Sequence, residues 1–162
     1  WFKEGFYKMD QANLEKKLSY SKLIIGDVNT TLEKFFDIYS PSPIGAIFHD
    51  LDYYSSTISS FKIFDNDEKY YLPRIFNYFD DILGTELEMY NEFSGELLAI
   101  QNYNLKNSSK KIVLNRNLIT SNNEKWRTQI YYFHNFEHKD YNKFIGSTEQ
   151  EFLNKNISLK NQ

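Results

Sequence analysis

Apolar residues along this chain fall into two patterns: short continuous runs, and runs spaced at helical intervals. The first pattern predicts buried strands and the second amphipathic helices. Asp10 is placed to cap a helix over 11–18. The run "KLIIGDV" that follows predicts a short buried strand ending at Gly26 and Asp27. Thr30 opens "TTLEKFFDIY", in which Leu32, Phe35, Phe36 and Tyr39 lie at helical spacing. Pro41 and Pro43 stop that helix, and "IGAIFHD" predicts the next strand. A helix over 55–64 and the turn-like "DNDEK" lead to a third strand, "RIFNYF", which ends in Asp80 and Asp81. The longest helical pattern is "TELEMYNEFSGELLAIQNYN", with Leu87, Tyr90, Phe93, Leu97 and Ile100 in one stripe. "KKIVLN" and the alternating "WRTQIYYFHNF" predict two more strands.

Strands alternating with helices in this rhythm predict an α/β domain built on a largely parallel sheet. Such sheets bind ligands at the carboxyl ends of their strands. Asp27, Asp50, Asp52, Asp80 and Asp81 all follow predicted strands, which sets them on one rim. Asp50 and Asp52 are two residues apart, so in an extended segment they point the same way. With Asp80 and Asp81 they form an oxygen-only cluster suited to Mg²⁺, Mn²⁺ or Ca²⁺. The bland reading, that each Asp merely caps a following helix, suits any one of them better than all four together.

Length and composition narrow the classes. The chain has 162 residues, enough for one domain with a core. Hydrophobic residues make up 41% and charged residues 25%, the balance of a folded globular protein. Fourteen Phe and thirteen Tyr mean that large side chains carry much of the burial. A formal charge of −3 without a basic block argues against nucleic acid. No apolar run is long enough to predict a membrane span, and no signal peptide is visible, so the expected location is cytoplasmic. Cysteine is absent, which excludes disulfides and thiolate metal sites. Trp1 is not a translation start, so the chain is expected to be a segment of a longer protein. Residues 1–150 are assigned to the α/β domain and 151–162 to a polar tail.

Three further features compete for chemistry. "HNFEH", His134 to His138, formally matches an inverted zinc-protease signature, which requires a helix. Its aromatic, alternating flank predicts a strand instead, with His134 packed in or near the sheet and His138 at a strand end. His49 precedes Asp50 on the opposite face and is expected to be a hydrogen-bonded core histidine. Glu92 and Glu96 are four apart on the long predicted helix and so share a face. That face is either solvated or part of a pocket.

The runs "FHDLDYYSST", "YLPRIFNYFDDI" and "NEFSGELLAI", with "WFKEGFYKMD" and "LIIGDV", resemble bacterial class I S-adenosylmethionine-dependent methyltransferases related to the macrocin-type sugar O-methyltransferases. The resemblance implies a three-layer, Rossmann-like sheet, of which this chain would carry strands three to seven. It implies that Gly26, Asp27 and Val28 end the third strand beside the cofactor's adenine. It implies that Asp50, Asp80 and Asp81 hold a Mg²⁺ that binds and polarises the acceptor's oxygens, with Asp50 and Asp52 as the catalytic carboxylates. The acceptor would be a small-molecule hydroxyl, and the nearest relatives suggest a sugar. The family's Gly-rich cofactor loop has no counterpart here. The chain therefore looks like the C-terminal part of the enzyme, and alone is expected to bind S-adenosylmethionine weakly and to be inactive. Without the first two strands, "KLIIGDV" would slide over to pair with "IGAIFHD", or the bared edge would drive self-association into a homo-oligomer. Two other classes compete. One is a metal-dependent glycosyltransferase using Asp50, Leu51 and Asp52 to hold Mn²⁺ and a diphosphate. The other is a non-catalytic binding module.

Overall fold

The structure, a computed structural model, describes residues 8–85, 88, 90–119 and 124–143. The predicted tail at 151–162 and Leu87 of the predicted stripe lie outside the described residues. Near the N-terminus α1 (Gln11–Lys17) starts where Asp10 accepts the Asn13 N–H, and Lys16 and Lys17 in its last turn complement the helix dipole. The expected helix from Thr30 starts earlier and divides in two, α2 (Val28–Glu33) and α3 (Phe35–Tyr39). Asp27 is the cap of α2, and Lys34, at φ −114° and ψ 5°, breaks the run.

"KLIIGDV" is not a strand, which corrects the sequence expectation. It does not join the sheet, and Ile25 is left half-exposed. The strand's expected ending at Gly26, Asp27 and Val28 is instead a helix start. Gly26 turns the chain at φ +148° and the Asp27 carboxylate accepts the Asn29 N–H. A short apolar run becomes a strand only where a neighbour pairs with its backbone. Here the local cap decides the conformation.

The first strand, β1 (Ile44–His49), connects through α4 (Tyr54–Ser60) and two short 3₁₀ helices, Phe61–Asp65 and Glu68–Tyr70, to β2 (Tyr71–Phe79). These strands run parallel with His49 opposite Phe79, and the register shifts between Ile44 and Ala46. Next α5 (Gly95–Lys106) leads to β3 (Lys110–Leu114). β4 (Ile130–Asn135) then turns back between β2 and β3, antiparallel to both. The order is β1-β2-β4-β3, a mixed open sheet that is largely parallel, as expected, with β4 alone reversed. The reversal comes from the last connection, which returns β4 against its neighbours instead of crossing over.

The odd-numbered residues of β2 face the helices. Ile75 and Phe79 join Ile112 and Phe133 of the other strands, Phe61 and Phe64 after α4, and Ala99, Ile100 and Tyr103 of α5 in one core. Phe64 stacks on Phe133 with centroids 4.0 Å apart. On the other face Phe48 is 73% exposed, and Phe76, Tyr78 and Tyr132 are half-buried. Among the described residues the core thus joins two layers, helices and sheet, in place of the three expected. The long helical pattern begins only at Gly95. Tyr90 lies outside the helix and Phe93 is exposed, while Leu97 and Ile100 face inward. No helix among the described residues is long and apolar enough to cross a membrane.

The β3 edge is blocked by a side chain. Asn104 of α5 donates to the Ile112 carbonyl at 2.7 Å and accepts the Ile112 N–H at 2.8 Å, as a neighbouring strand would. Lys111 reaches back to the carbonyls of Asn104 and Asn107. Asn104→Ala leaves a buried backbone N–H and C=O without partners and is expected to cost about 1–3 kcal/mol. A lower urea midpoint at unchanged slope would register that loss.

Candidate metal centre

Parallel strands in register finish side by side, and the rim at β1 and β2 follows from that. Asp80 N–H donates to the His49 carbonyl at 3.0 Å, so Asp50 and Asp80 leave the sheet next to each other. Asp50, Asp80 and Asp81 each offer one carboxylate oxygen, all within 4.8 Å of one another. Asp50 and Asp80 are exposed, whereas Asp81 is buried at 8% exposure. Three of the five rim aspartates expected from the sequence therefore converge. Asp27 does not: neighbouring Asn29 accepts from Lys62, beyond the C-terminal end of α4, while the rim lies beside that helix's N-terminal end.

The turn holding Asp80 and Asp81 is fixed from several elements. Tyr78 donates to Asp80 Oδ1 at 2.6 Å, and Tyr90 donates to Asp81 Oδ1 at 3.2 Å. Gln129 Nε2 donates to the Asp80 carbonyl, and the Asp81 N–H donates to Glu96 Oε2, both at 3.0 Å. Asp81 Oδ2 is buried and finds no hydrogen-bond partner among the described residues. Burial, then the Asp52 charge beside it, pushes the Asp81 carboxyl up to about 6. Asp52 thus faces the group without belonging to the three-oxygen cluster. Thr57, fully buried in α4, holds this loop by donating to the Leu51 and Tyr53 carbonyls. Gly95 adopts φ +52°, and a Cβ there would stand 3.7 Å from the Asp52 carbonyl, so the start of α5 lies close against the rim.

Glu96 is the residue that sequence reasoning placed least well. Because α5 begins at Gly95, Glu92 is outside the helix and exposed, and Glu96 alone turns inward, fully buried. Burial pushes its carboxyl up to about 8, with the charges of Asp81, Asp80 and Asp50 adding to the effect. The available signal was Ser94, a residue type favoured at the N-cap, with Glu96 placed in the first turn behind it.

The histidines have separate structural places. His49 is buried and stacked on Phe79 at 4.4 Å. Asn77 Nδ2 donates to the Ile75 carbonyl, which turns Asn77 Oδ1 toward His49 Nε2 at 3.1 Å and makes that nitrogen the donor. Burial lowers the His49 pKa to about 4. "HNFEH" is not helical. His134 sits on β4 with Nδ1 2.8 Å from the Tyr141 hydroxyl, and burial, then Arg74, holds its pKa below the usual value. His138 lies past the strand end, where Nδ1 accepts the Asp140 N–H, and Glu137 is exposed.

Comparisons with protein-family models, with curated proteins and with solved structures gave no match.

The buried carboxyls set a pH dependence. Glu96 titrates near 4.5 when unfolded and near about 8 when folded, so the stability of its protonated form is complete below pH 4.5. That stability is lost as the pH rises through about 8. Asp81 acts in the same sense, with its loss centred lower, at about 6. His49 acts oppositely, its contribution being lost as the pH falls from 6.5 through about 4. In chelator, urea unfolding is expected to become easier on the alkaline side, and Glu96→Gln to flatten that limb alone. An alkaline limb unchanged in Glu96→Gln would contradict this assignment.

Proposed function

We propose that this chain forms the metal and acceptor side of an S-adenosylmethionine-dependent O-methyltransferase assisted by Mg²⁺ or a similar divalent cation. The observation that carries the reading is the convergence of Asp50, Asp80 and Asp81 at the ends of two neighbouring parallel strands. The donor set is all carboxylate oxygen, which fits a hard cation. The buried Oδ2 of Asp81, with no hydrogen-bond partner among the described residues, fits one as well. When bound, such an ion lowers the pKa of an acceptor hydroxyl. Asp50, Asp80 and Asp81 would hold the ion, Tyr78 and Tyr90 steady two of those carboxylates, and Asp52 stands beside them as a place for the hydroxyl proton. Tyr53 and Phe93, 70% and 80% exposed, are close in sequence to Asp52 and Gly95 on this rim and offer ring faces for a small acceptor such as a sugar.

The parallel pair β1 and β2, joined by a crossover through α4, also fits the fourth and fifth strands of the sheet that the resemblance implies. The described residues do not fit the cofactor. Gly26, Asp27 and Val28 stand at the start of α2, away from the rim, and β1 and β2 are each followed by aspartates rather than a Gly-rich loop. The reading therefore assigns S-adenosylmethionine to other residues of a longer parent chain in the cytoplasm, and this segment alone is inactive. β1, an apolar edge strand, is where that parent or a second copy of the chain would pair. A glycosyltransferase would use Asp50 together with Asp52. The three-oxygen group instead enlists Asp80 and Asp81, which favours methyl transfer.

In the parent chain, Asp50→Asn and Asp81→Asn are expected to abolish metal-dependent methyl transfer while leaving the fold intact. Full activity of both variants in excess chelator would refute the reading. Thermal stabilisation by UDP with Mn²⁺, and none by S-adenosylhomocysteine, would favour the sugar-nucleotide enzyme instead.

A further inference from the structure

Glu96 is a carboxyl where the packing of the helix calls for an apolar side chain. It lies in the first turn of α5, fully buried, on the face that also buries Ala99, Ile100 and Tyr103. No salt bridge among the described residues includes it, and its Oε1 finds no hydrogen-bond partner. A buried carboxyl without a cationic partner is costly, and a leucine would fill such a position without that cost. Its one hydrogen bond among the described residues goes to the backbone of the carboxylate cluster: Oε2 accepts the Asp81 N–H at 3.0 Å.

We infer that Glu96 is a positioning residue for the carboxylate centre, holding the turn at Asp80 and Asp81 so that Asp81 faces Asp50. The inference rests on the metal reading above and adds to it a residue that does not touch the ion. Three anchors meet at this turn. The Asp80 N–H is tied to β1 through the His49 carbonyl, and the Asp80 carbonyl is tied to Gln129. Among the described residues the Asp81 N–H is tied to Glu96 alone. Beyond β2 the backbone has left the ladder, so without Glu96 this N–H, beside a buried carboxylate, has no acceptor. The left-handed Gly95 starts α5 close against Asp52 and brings Glu96 within reach. The hydrogen bond needs an acceptor at this position rather than a charge, so glutamine can replace glutamate here and methionine cannot.

Mn²⁺ alone is the probe, titrated by electron paramagnetic resonance into the full chain. Glu96→Gln is expected to bind Mn²⁺ within about twofold of the parent protein, and Glu96→Met, similar in volume but without an acceptor, to bind at least about tenfold more weakly. A purely structural Glu96 would lower the melting temperature of Glu96→Met and leave the affinity of the folded protein unchanged. The Asp81 amide proton should move upfield in Glu96→Met and stay in place in Glu96→Gln. Parent-like Mn²⁺ affinity in Glu96→Met, or equal weakening in both variants, would overturn the inference. Should Glu96→Met fail to fold, hydrogen exchange in the parent protein decides: a protected Asp81 amide supports the bond, and exchange as fast as in an open loop refutes it. Absence of Mn²⁺ binding by the parent protein would remove the metal reading and the positioning role with it. The Asp81 amide would then still report whether the bond itself forms.

Discussion

Two strands that run the same way must finish on the same rim of a sheet, and in this chain β1 and β2 do so in register, His49 opposite Phe79. The consequences reach well beyond the pair. Asp50 and Asp80 emerge next to each other because their predecessors are paired, and Asp81 follows one residue later. The connection between parallel strands has to cross over, which places α4 on one face with its N-terminal end at the rim. From there Thr57 can hold the Leu51 and Tyr53 carbonyls and so fix the loop that carries Asp52. Reversing either strand would send its aspartates to the far end of the sheet.

The core behind this rim is polar. His49, Thr57, Ser60, Asn77 and Glu96 are all buried, most of them with hydrogen bonds. Ser60 donates to the Thr57 carbonyl and lies 3.3 Å from His49 Nδ1, and Asn77 accepts from the other ring nitrogen. Each such group is costly to bury unless it is satisfied, so the set is consistent in only one arrangement of β1, β2 and α4. The aromatic half of the core, with Phe64 on Phe133 and Phe61 against Tyr103, supplies burial but far less directional constraint. Stability and geometry are thus carried by different parts of one core, and the geometric part adjoins the carboxylates.

Much of this was legible in the residues. Asp10 as a helix cap, the strand at 44–49 and the alternating strand at 130–135 all follow from local chemistry and period. So does the convergence of Asp50, Asp80 and Asp81, because Asp50 and Asp80 each directly follow a strand and Asp81 comes one residue later. His49 read correctly as a hydrogen-bonded core residue. Three readings failed for want of distant information. "KLIIGDV" has strand composition but no strand beside it, and the Asp27 cap took over. The helix expected through 85–104 begins only at Gly95, since Phe93 has periodicity but no surface to bury against and Tyr90 is held at Asp81 instead. The inward turn of Glu96 followed from that late start.

The sequence by itself determined which segments alternate, which residues cap helices, and which carboxylates stand at strand ends. Those properties are set by a residue and its near neighbours: a cap needs only the next turn, and alternation needs only a period. Tertiary structure alone decided that β4 turns back between β2 and β3, that Asn104 closes the β3 edge, and that Glu96 holds Asp81. Each of these joins groups separated along the chain through a backbone hydrogen bond. The free energy of such a bond depends on what lies opposite, which no local pattern specifies.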